Sequence, residues 1–277
     1  MTKQAQPTLA RRTLGAKLRK LRMERGDTCT QVASAIGYKY KAVDRIEKGL
    51  QGTKFLQLEG LCDYYGVSSS ARSHMHTLRV RGAERGWWED YYDPGTKEAT
   101  SPDFPLFLEA EQDAIHIRAI EIELIPGLVQ TREYLQALQE VQLPVPNEVA
   151  ESVKNLRERR QELFYNRPDP PKVEHFIGRN AIEFLADTGD DVRQGQLAML
   201  RKVNALENFD IRVIDRIHAA TLAGSFWLMK LNDDLPSFVF VDALDGCRYI
   251  EQVDIVSRYE EVFNAVRRST VPLEEYL

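Results

Sequence analysis

The chain has 277 residues, enough for two domains, with 43% hydrophobic and 29% charged residues and a formal net charge of −5, a composition suited to a soluble protein with real cores. No run of about 18 apolar residues occurs, which argues against a membrane span, and the opening MTKQAQPTLARR has no apolar core of the kind a secretory signal needs, so a cytoplasmic protein is expected. Three scattered cysteines (Cys29, Cys62 and Cys247) without C-x-x-C spacing argue against a disulfide framework and a zinc site.

The modest net charge hides an asymmetry. Residues 1–80 hold 15 Lys and Arg against 6 Asp and Glu, a balance of +9, while the remainder holds 22 against 36, or −14. A basic head on an acidic body suits a small nucleic-acid-binding module joined to something that is not one.

In chain order, residues 1–13 read as a polar, mobile arm carrying Arg11 and Arg12. Leu14, Leu18 and Leu21 then fall at helical spacing among Lys17, Arg19, Lys20 and Arg22, and Gly26 ends that helix. From Thr28 to Gly49 the chain reads TCTQVASAIGYKYKAVDRIEKG. Thr28 and Gln31 form the T-x-x-Q pattern of a capping box. Val32, Ala33 and Ile36 give one apolar face, and Gly37 stands where a left-handed residue would stop the helix. Val43 and Ile46 turn inward on a second helix, Tyr40 to Lys48, leaving Tyr40, Lys41, Asp44 and Arg45 outward. That is helix-turn-helix geometry. Phe55, Leu58, Leu61, Cys62 and Tyr65 make a further amphipathic face stopped by Gly66, and a last helix over about Ser69–Glu84 closes the all-α domain, 1–84, or leads away from it.

Residues 85–105, RGWWEDYYDPGTKEATSPDFP, have no helical period; they predict an aromatic-rich connector that docks Trp87, Trp88, Tyr91 and Tyr92 onto a neighbour. The rest, 106–277, mixes helices and strands. Ile115, Ile117 and Ala119 alternate, then Ile120, Ile122 and Leu124 alternate in the opposite phase, which predicts a bulge or break near Ala119–Ile120. Helices are expected over Gln130–Glu140, Asn147–Asn166, Asn180–Ala186, Asp191–Leu206 and Val253–Arg268, with Pro144 and Pro146 stopping the first. Strands are expected over Lys172–Ile177, Ile211–Ile214, Phe226–Leu231, Phe238–Val241 and Arg248–Ile250. Few links between strands are long enough for a crossover, so the sheet should be mixed or mainly antiparallel with helices beside it. The expected class is therefore α+β: an all-α helix-turn-helix domain followed by a mixed α/β regulatory domain.

V-A-x-x-I-G followed by V-x-R-I-E-x-G resembles the phage-repressor (Xre/Cro) type of helix-turn-helix over about Leu14–Val67. The chain departs from that pattern where Asp27, Thr28 and Cys29 replace the usual Leu-Ser-Gln. Farther on, ERGWW, LEAEQDAIHIRAIEIELIPGLVQTREYLQAL, RRQELFYNRPDPP and YIE…VSRYEEVFNAVR resemble an actinobacterial regulator family that includes antitoxin-like Xre regulators and WhiJ-like proteins. The stretch IHAATLAG at 217–224 is shorter than that family's Gly/Ala-rich loop. The resemblance implies double-stranded DNA as partner and a small partner protein for the C-terminal domain.

By position in the motif, Tyr40, Lys41, Asp44 and Arg45 would reach base edges, and Thr28, Thr30, Lys39, Lys48 and Lys54 phosphates. Arg45 suits a guanine's O6 and N7, Tyr40 a thymine methyl, and Asp44 either a cytosine N4 or the orientation of Arg45. Glu47 is expected to pair with Arg19 or Arg22, a structural role that Arg45 could share. The N-terminal arm either touches the DNA backbone or is simply solvated.

Catalysis and cofactors find no support. The five histidines lack metal-ligand spacing, and Glu109, Glu111 and Asp113, like Asp242 and Asp245, read as solvated acidic sets. No P-loop, G-x-G-x-x-G or G-x-S-x-G occurs. The sequence predicts a homodimeric transcriptional regulator, no enzyme, with no cofactor, no metal and no membrane partner. Its C-terminal domain would take its input from a small protein or, alternatively, from a small ligand.

Overall fold

A computed structural model of the chain describes residues 8–92, 94–100, 104–141, 145–216, 223–231, 237–243 and 247–277. Two compact units follow one another, 1–87 and 88–277.

The first unit is helical: α1 (Leu9–Arg25), α2 (Cys29–Ala35), α3 (Tyr40–Glu47), α4 (Phe55–Tyr65) and α5 (Ser69–Arg81). Thr8 caps α1, its Oγ1 accepting from the Arg11 N–H at 3.2 Å. The expected mobile arm is thus corrected from residue 9 onward. Arg11 and Arg12 are helical, and Arg11 Nε donates to the Gly82 carbonyl at 2.6 Å, tying the start of α1 to the end of α5. Residues 1–7 lie outside the described residues. Leu14 and Leu18 of α1, Val32 and Ala33 of α2, Val43 and Ile46 of α3, Leu58, Leu61 and Cys62 of α4, and Met75 and Leu78 of α5 form one core. Five short helices hold one another in place here, because none buries enough alone to be stable.

The second unit contains α6 (Pro94–Ala99), α7 (Phe104–Asp113), β1 (Ala114–Glu121), α8 (Arg132–Val141), α9 (Asn147–Tyr165), β2 (Lys172–Gly178), α10 (Arg179–Glu183), α11 (Asp190–Asn204), β3 (Phe209–Ile214), β4 (Phe226–Leu231), β5 (Phe238–Val241), β6 (Arg248–Ile250), α12 (Val253–Arg267), β7 (Thr270–Pro272) and α13 (Leu273–Tyr276). The seven strands lie in the order β6-β5-β4-β1-β2-β3-β7. β1, β2 and β3 are mutually parallel, joined by crossovers through α8–α9 and α10–α11; the other four pairings are antiparallel. The expected mainly antiparallel sheet with helices beside it is present, with a parallel centre.

Both faces of the sheet are covered. Ile120, Phe176, Ile214, Phe226, Leu228 and Val239 pack against Val256, Phe263 and Val266 of α12. On the opposite face Phe107 of α7 meets Trp227 edge-on at 5.0 Å and Phe240 at 4.8 Å, while Phe164 of α9 meets Phe209 at 6.2 Å. This explains the change of phase read in the sequence. Ala119 and Ile120 are both buried, on opposite faces of one unbroken strand. The register irregularity lies instead at Ala114/His116, where β1 meets β4.

Three further expectations need correction. The stretch 85–105 is not free of helix: Trp87–Asp90 forms a 3-10 turn, Pro94–Ala99 is α6, and Phe104 opens α7. The helix expected over Asn180–Ala186 is split into α10 and a 3-10 segment, Phe184–Thr188. The last helix of the head ends at Arg81 rather than Glu84. Trp88 and Tyr92 are buried. Pro144, His218, Asp245 and residues 217–222 of the loop singled out above lie outside the described residues.

Candidate nucleic-acid interface

The turn between α2 and α3 is built from local rules. Thr28 Oγ1 accepts from the Gln31 N–H at 3.3 Å while the Thr28 N–H donates to Gln31 Oε1 at 2.7 Å, a complete capping box that starts α2. Gly37 takes φ 72°, the left-handed turn that a side chain would disfavour. The Tyr38 N–H then reaches back to the Ala33 carbonyl at 2.8 Å, and α3 begins two residues later.

α3 is held against α1 by a close backbone approach and an ion pair. A Cβ on Gly15 would stand 2.6 Å from the Glu47 carbonyl oxygen and closer still to that of Ile46, so only glycine fits where α1 crosses the end of α3. Glu47, buried, receives Arg22 in two parallel bonds, Nε at 2.8 Å and Nη2 at 2.9 Å. The third nitrogen of Arg22 donates to the Asp27 carbonyl at 2.9 Å. Of the two arginines considered for Glu47, the partner is Arg22. Such a fork-to-fork pair fixes orientation as well as charge, and here it sets the angle at which α3 leaves the core.

Thr30, Lys39, Tyr40, Lys41, Lys48 and Lys54 are all exposed. Tyr40 and Lys41 lie in the first turn of α3, with Lys39 at its N-cap and Tyr38, also exposed, just before it. Thr28 is exposed too, but its hydroxyl and N–H are engaged in the capping box. Asp44 and Arg45 are half-buried. Lys48 Nζ donates to Asp44 at 2.8 Å, which raises the lysine's pKa through that hydrogen bond. The aspartate therefore pairs along its own helix instead of orienting Arg45. Arg45 leans toward the Leu50 carbonyl, at 3.4 Å from Nη2. That contact is long enough to be given up for a better acceptor.

Cys29 packs beside Glu47, with Sγ 3.9 Å from Oε2. Burial and that carboxylate push its thiol up, which removes it as a redox or nucleophilic group at neutral pH. Tyr38 was missing from the residues picked out in the sequence, although the run YKYK marked it. Phe55, expected on the apolar face of this helix, is instead exposed at the start of α4 next to Lys54, as is Leu56, and the buried face begins at Gln57 and Leu58.

In the second unit His116 and Arg267 converge on Glu174. Burial alone would raise that carboxyl, but the His116 ring nitrogen at 2.6 Å and the Arg267 guanidinium outweigh it and hold Glu174 down at about 2. Among the described residues, no group of three His, Cys, Asp or Glu could hold a metal ion, and no helix is long and apolar enough to cross a membrane.

Comparison with known families gives two matches. Residues 13–75 match a helix-turn-helix domain, the architecture of DNA-binding regulators. Residues 104–275 match a domain of unknown function, DUF5753. No curated protein matches the chain significantly. Since the second match spans well over half of its length, the chain belongs to the DUF5753 family, with a helix-turn-helix DNA-binding domain at its N-terminal end.

Proposed function

We propose that the protein is a sequence-specific transcriptional regulator of the Xre type, working as a homodimer whose two α3 helices enter successive major-groove faces of an operator. The observation that carries this reading is the start of α3. Tyr40 and Lys41 stand exposed on a helix whose other side is fixed by Val43, Ile46 and the Arg22–Glu47 fork, within a head that carries +9. Tyr40, Lys41 and Arg45 are assigned to base edges, and Thr30, Lys39, Lys48 and Lys54 to phosphates. Asp44 is assigned to holding Lys48 until DNA arrives, and Thr28 to the cap with a phosphate as a shared acceptor. The dimer contact lies in the C-terminal unit or near Trp87–Tyr92. Genome-wide mapping of the bound sites in the native host tests the reading; occupancy no greater than that of a head-deleted chain contradicts it.

The input is assigned to the C-terminal unit. With a net charge of −14 over residues 81–277, that unit would be repelled by DNA, and it is larger than dimerisation requires. The resemblance to antitoxin-like regulators favours a small partner protein as the signal. A fragment of residues 88–277 should retrieve that partner from the host, and residues 1–87 should not. A second reading, a small molecule as the signal, is favoured by one specific observation: a half-buried arginine, Arg157, whose hydrogen-bond partner among the described residues is the Gln130 amide rather than a carboxylate.

A further inference from the structure

The parallel strands β1, β2 and β3 end side by side, and a cavity of about 120 Å³ lies at their carboxyl ends. In α/β sheets the crevice outside the carboxyl ends of the strands is where ligands bind. Three of the lining residues come directly from these ends: Ile122, one residue past β1, Gly178, the last of β2, and Ile214, the last of β3. A Cβ on Gly178 would collide with the Ile122 carbonyl, so only glycine lets the two backbones approach this closely. The Ile122 N–H donates to Ser225 Oγ at 3.0 Å, and the Asp215 N–H to the Ser269 carbonyl at 3.3 Å. Backbone contacts thus fix the walls, and the chemistry falls to four side chains.

Those four are Arg179, Asn180, Asp215 and Arg216. Arg179 Nη1 reaches the Asp215 carbonyl at 3.5 Å, and its Nε lies 3.4 Å from Glu183. Asn180 Nδ2 lies 3.4 Å from both carboxylate oxygens of Glu123. Arg216 Nε stands 3.8 Å from Asp215 Oδ1. Each of these contacts exceeds the roughly 2.7–3.2 Å of a well-formed N–H···O bond, so the donors are loosely held and open to a better acceptor. Asp215 has the complementary need. Its Oδ1 is enclosed yet accepts no hydrogen bond, a state that costs free energy until a donor arrives. Donors without good acceptors and an acceptor without a donor line one cavity.

We propose that this cavity binds a small zwitterionic amino acid, whose ammonium donates to Asp215 and whose carboxylate is received by Arg179, Asn180 and Arg216. Size sets the upper limit. A void of about 150 Å³ takes benzene, so this one takes about five or six non-hydrogen atoms and is too small for a nucleotide. Charge selects the class. The two guanidinium groups stand among three carboxylates, Asp215, Glu183 and Glu123. A bare anion such as phosphate would add to that negative surplus, and a simple amine would leave the loosely held donors unanswered. A ligand carrying both charges meets both needs and leaves the balance unchanged. Arginine suits the carboxylate end, because its planar fork matches two oxygens.

The inference deepens the small-molecule reading of the C-terminal unit and rests on it only for the link to DNA. Glycine, L-alanine and L-serine are titrated calorimetrically into the full chain, beside acetate, propionate, ethylamine and inorganic phosphate. At least one amino acid should bind saturably, about tenfold or more tighter than any of those four. Asp215→Asn and Arg179→Gln should each lower that affinity by a similar factor. If Asp215→Asn does not fold, Asn180→Ala, at an exposed position, should still weaken binding by about threefold or more. No amino-acid binding, a simple carboxylate or amine that binds as well, or binding indifferent to Arg179→Gln overturns the site. Amino-acid binding that leaves operator affinity unchanged upholds the site and removes it as the signal. Operator affinity that responds to an amino acid equally in the unaltered chain and in Arg179→Gln keeps the small-molecule reading and overturns the site.

Discussion

Arg22 and Glu47 decide whether α3 is presented at all. Glu47 is nearly enclosed and Arg22 mostly so, and removing one partner strands the other's charge. Arg22→Ala should therefore destabilise the head by roughly 3 kcal/mol, read from denaturant unfolding of the full chain; a loss within experimental error would make the fork ornamental. Arg45 and Lys48 separate by role. Arg45→Ala should cost about 1–3 kcal/mol on the true site and relax discrimination at one base pair, while Lys48→Ala should weaken all sequences alike. Binding to operator and random fragments checks this, and identical behaviour of the two variants on both would show that the reading face of α3 is misassigned. Because Lys48 is paired with Asp44, Asp44→Asn should also tighten binding to random DNA by freeing a phosphate donor.

The helix crossing of α1 and α3 depends on one absent methyl group. Gly15→Ala forces a carbon into the carbonyls of Ile46 and Glu47, a backbone collision that no rotamer relieves. It should cost about 1–3 kcal/mol and weaken DNA binding beyond what stability alone explains, because α3 must rotate. A fully stable, fully active alanine variant would contradict the packing. The helix-turn-helix was legible because its signals are local: Thr28 with Gln31, Gly37, and Val43 with Ile46 each state their role within four residues. α7 was not, because Pro105, Leu106, Phe107 and Leu108 are all buried and a helix covered on most sides has no amphipathic period to read. The same holds for β1, whose apparent break at Ala119–Ile120 records two covered faces. Of the candidate site, the exposed lysines and tyrosines followed from helical phase. The Asp44–Lys48 pair has a standard i, i+4 spacing but competed with a base-reading role for Asp44.

Across the whole molecule, two carboxylates of the sheet, Glu174 and Glu121, act in opposite directions. Glu174, held at about 2, contributes stability that is complete above its ordinary value of 4.5 and is lost as pH falls toward 2. Glu121, raised from 4.5 to about 7, keeps a proton when folded that the unfolded chain has released, so stability falls as pH rises from 4.5 to 7 and is level above. The difference in unfolding free energy between the unaltered chain and Glu121→Gln should change by on the order of 3 kcal/mol across that window; a constant difference would place Glu121 in water. On DNA, the basic head must act through phosphate neutralisation. If about 6 phosphates are contacted per dimer, the log–log dependence of affinity on salt should have a slope of roughly −5. A flat response would point away from nucleic acid. The most direct test is base-resolution footprinting of the full chain on the genomic fragments it enriches. The account predicts a pseudo-palindrome protected in two half-sites whose centres lie about 10–10.5 base pairs apart, or a multiple of that. A single short half-site bound by a monomer, or protection no different from that on random DNA, would contradict it.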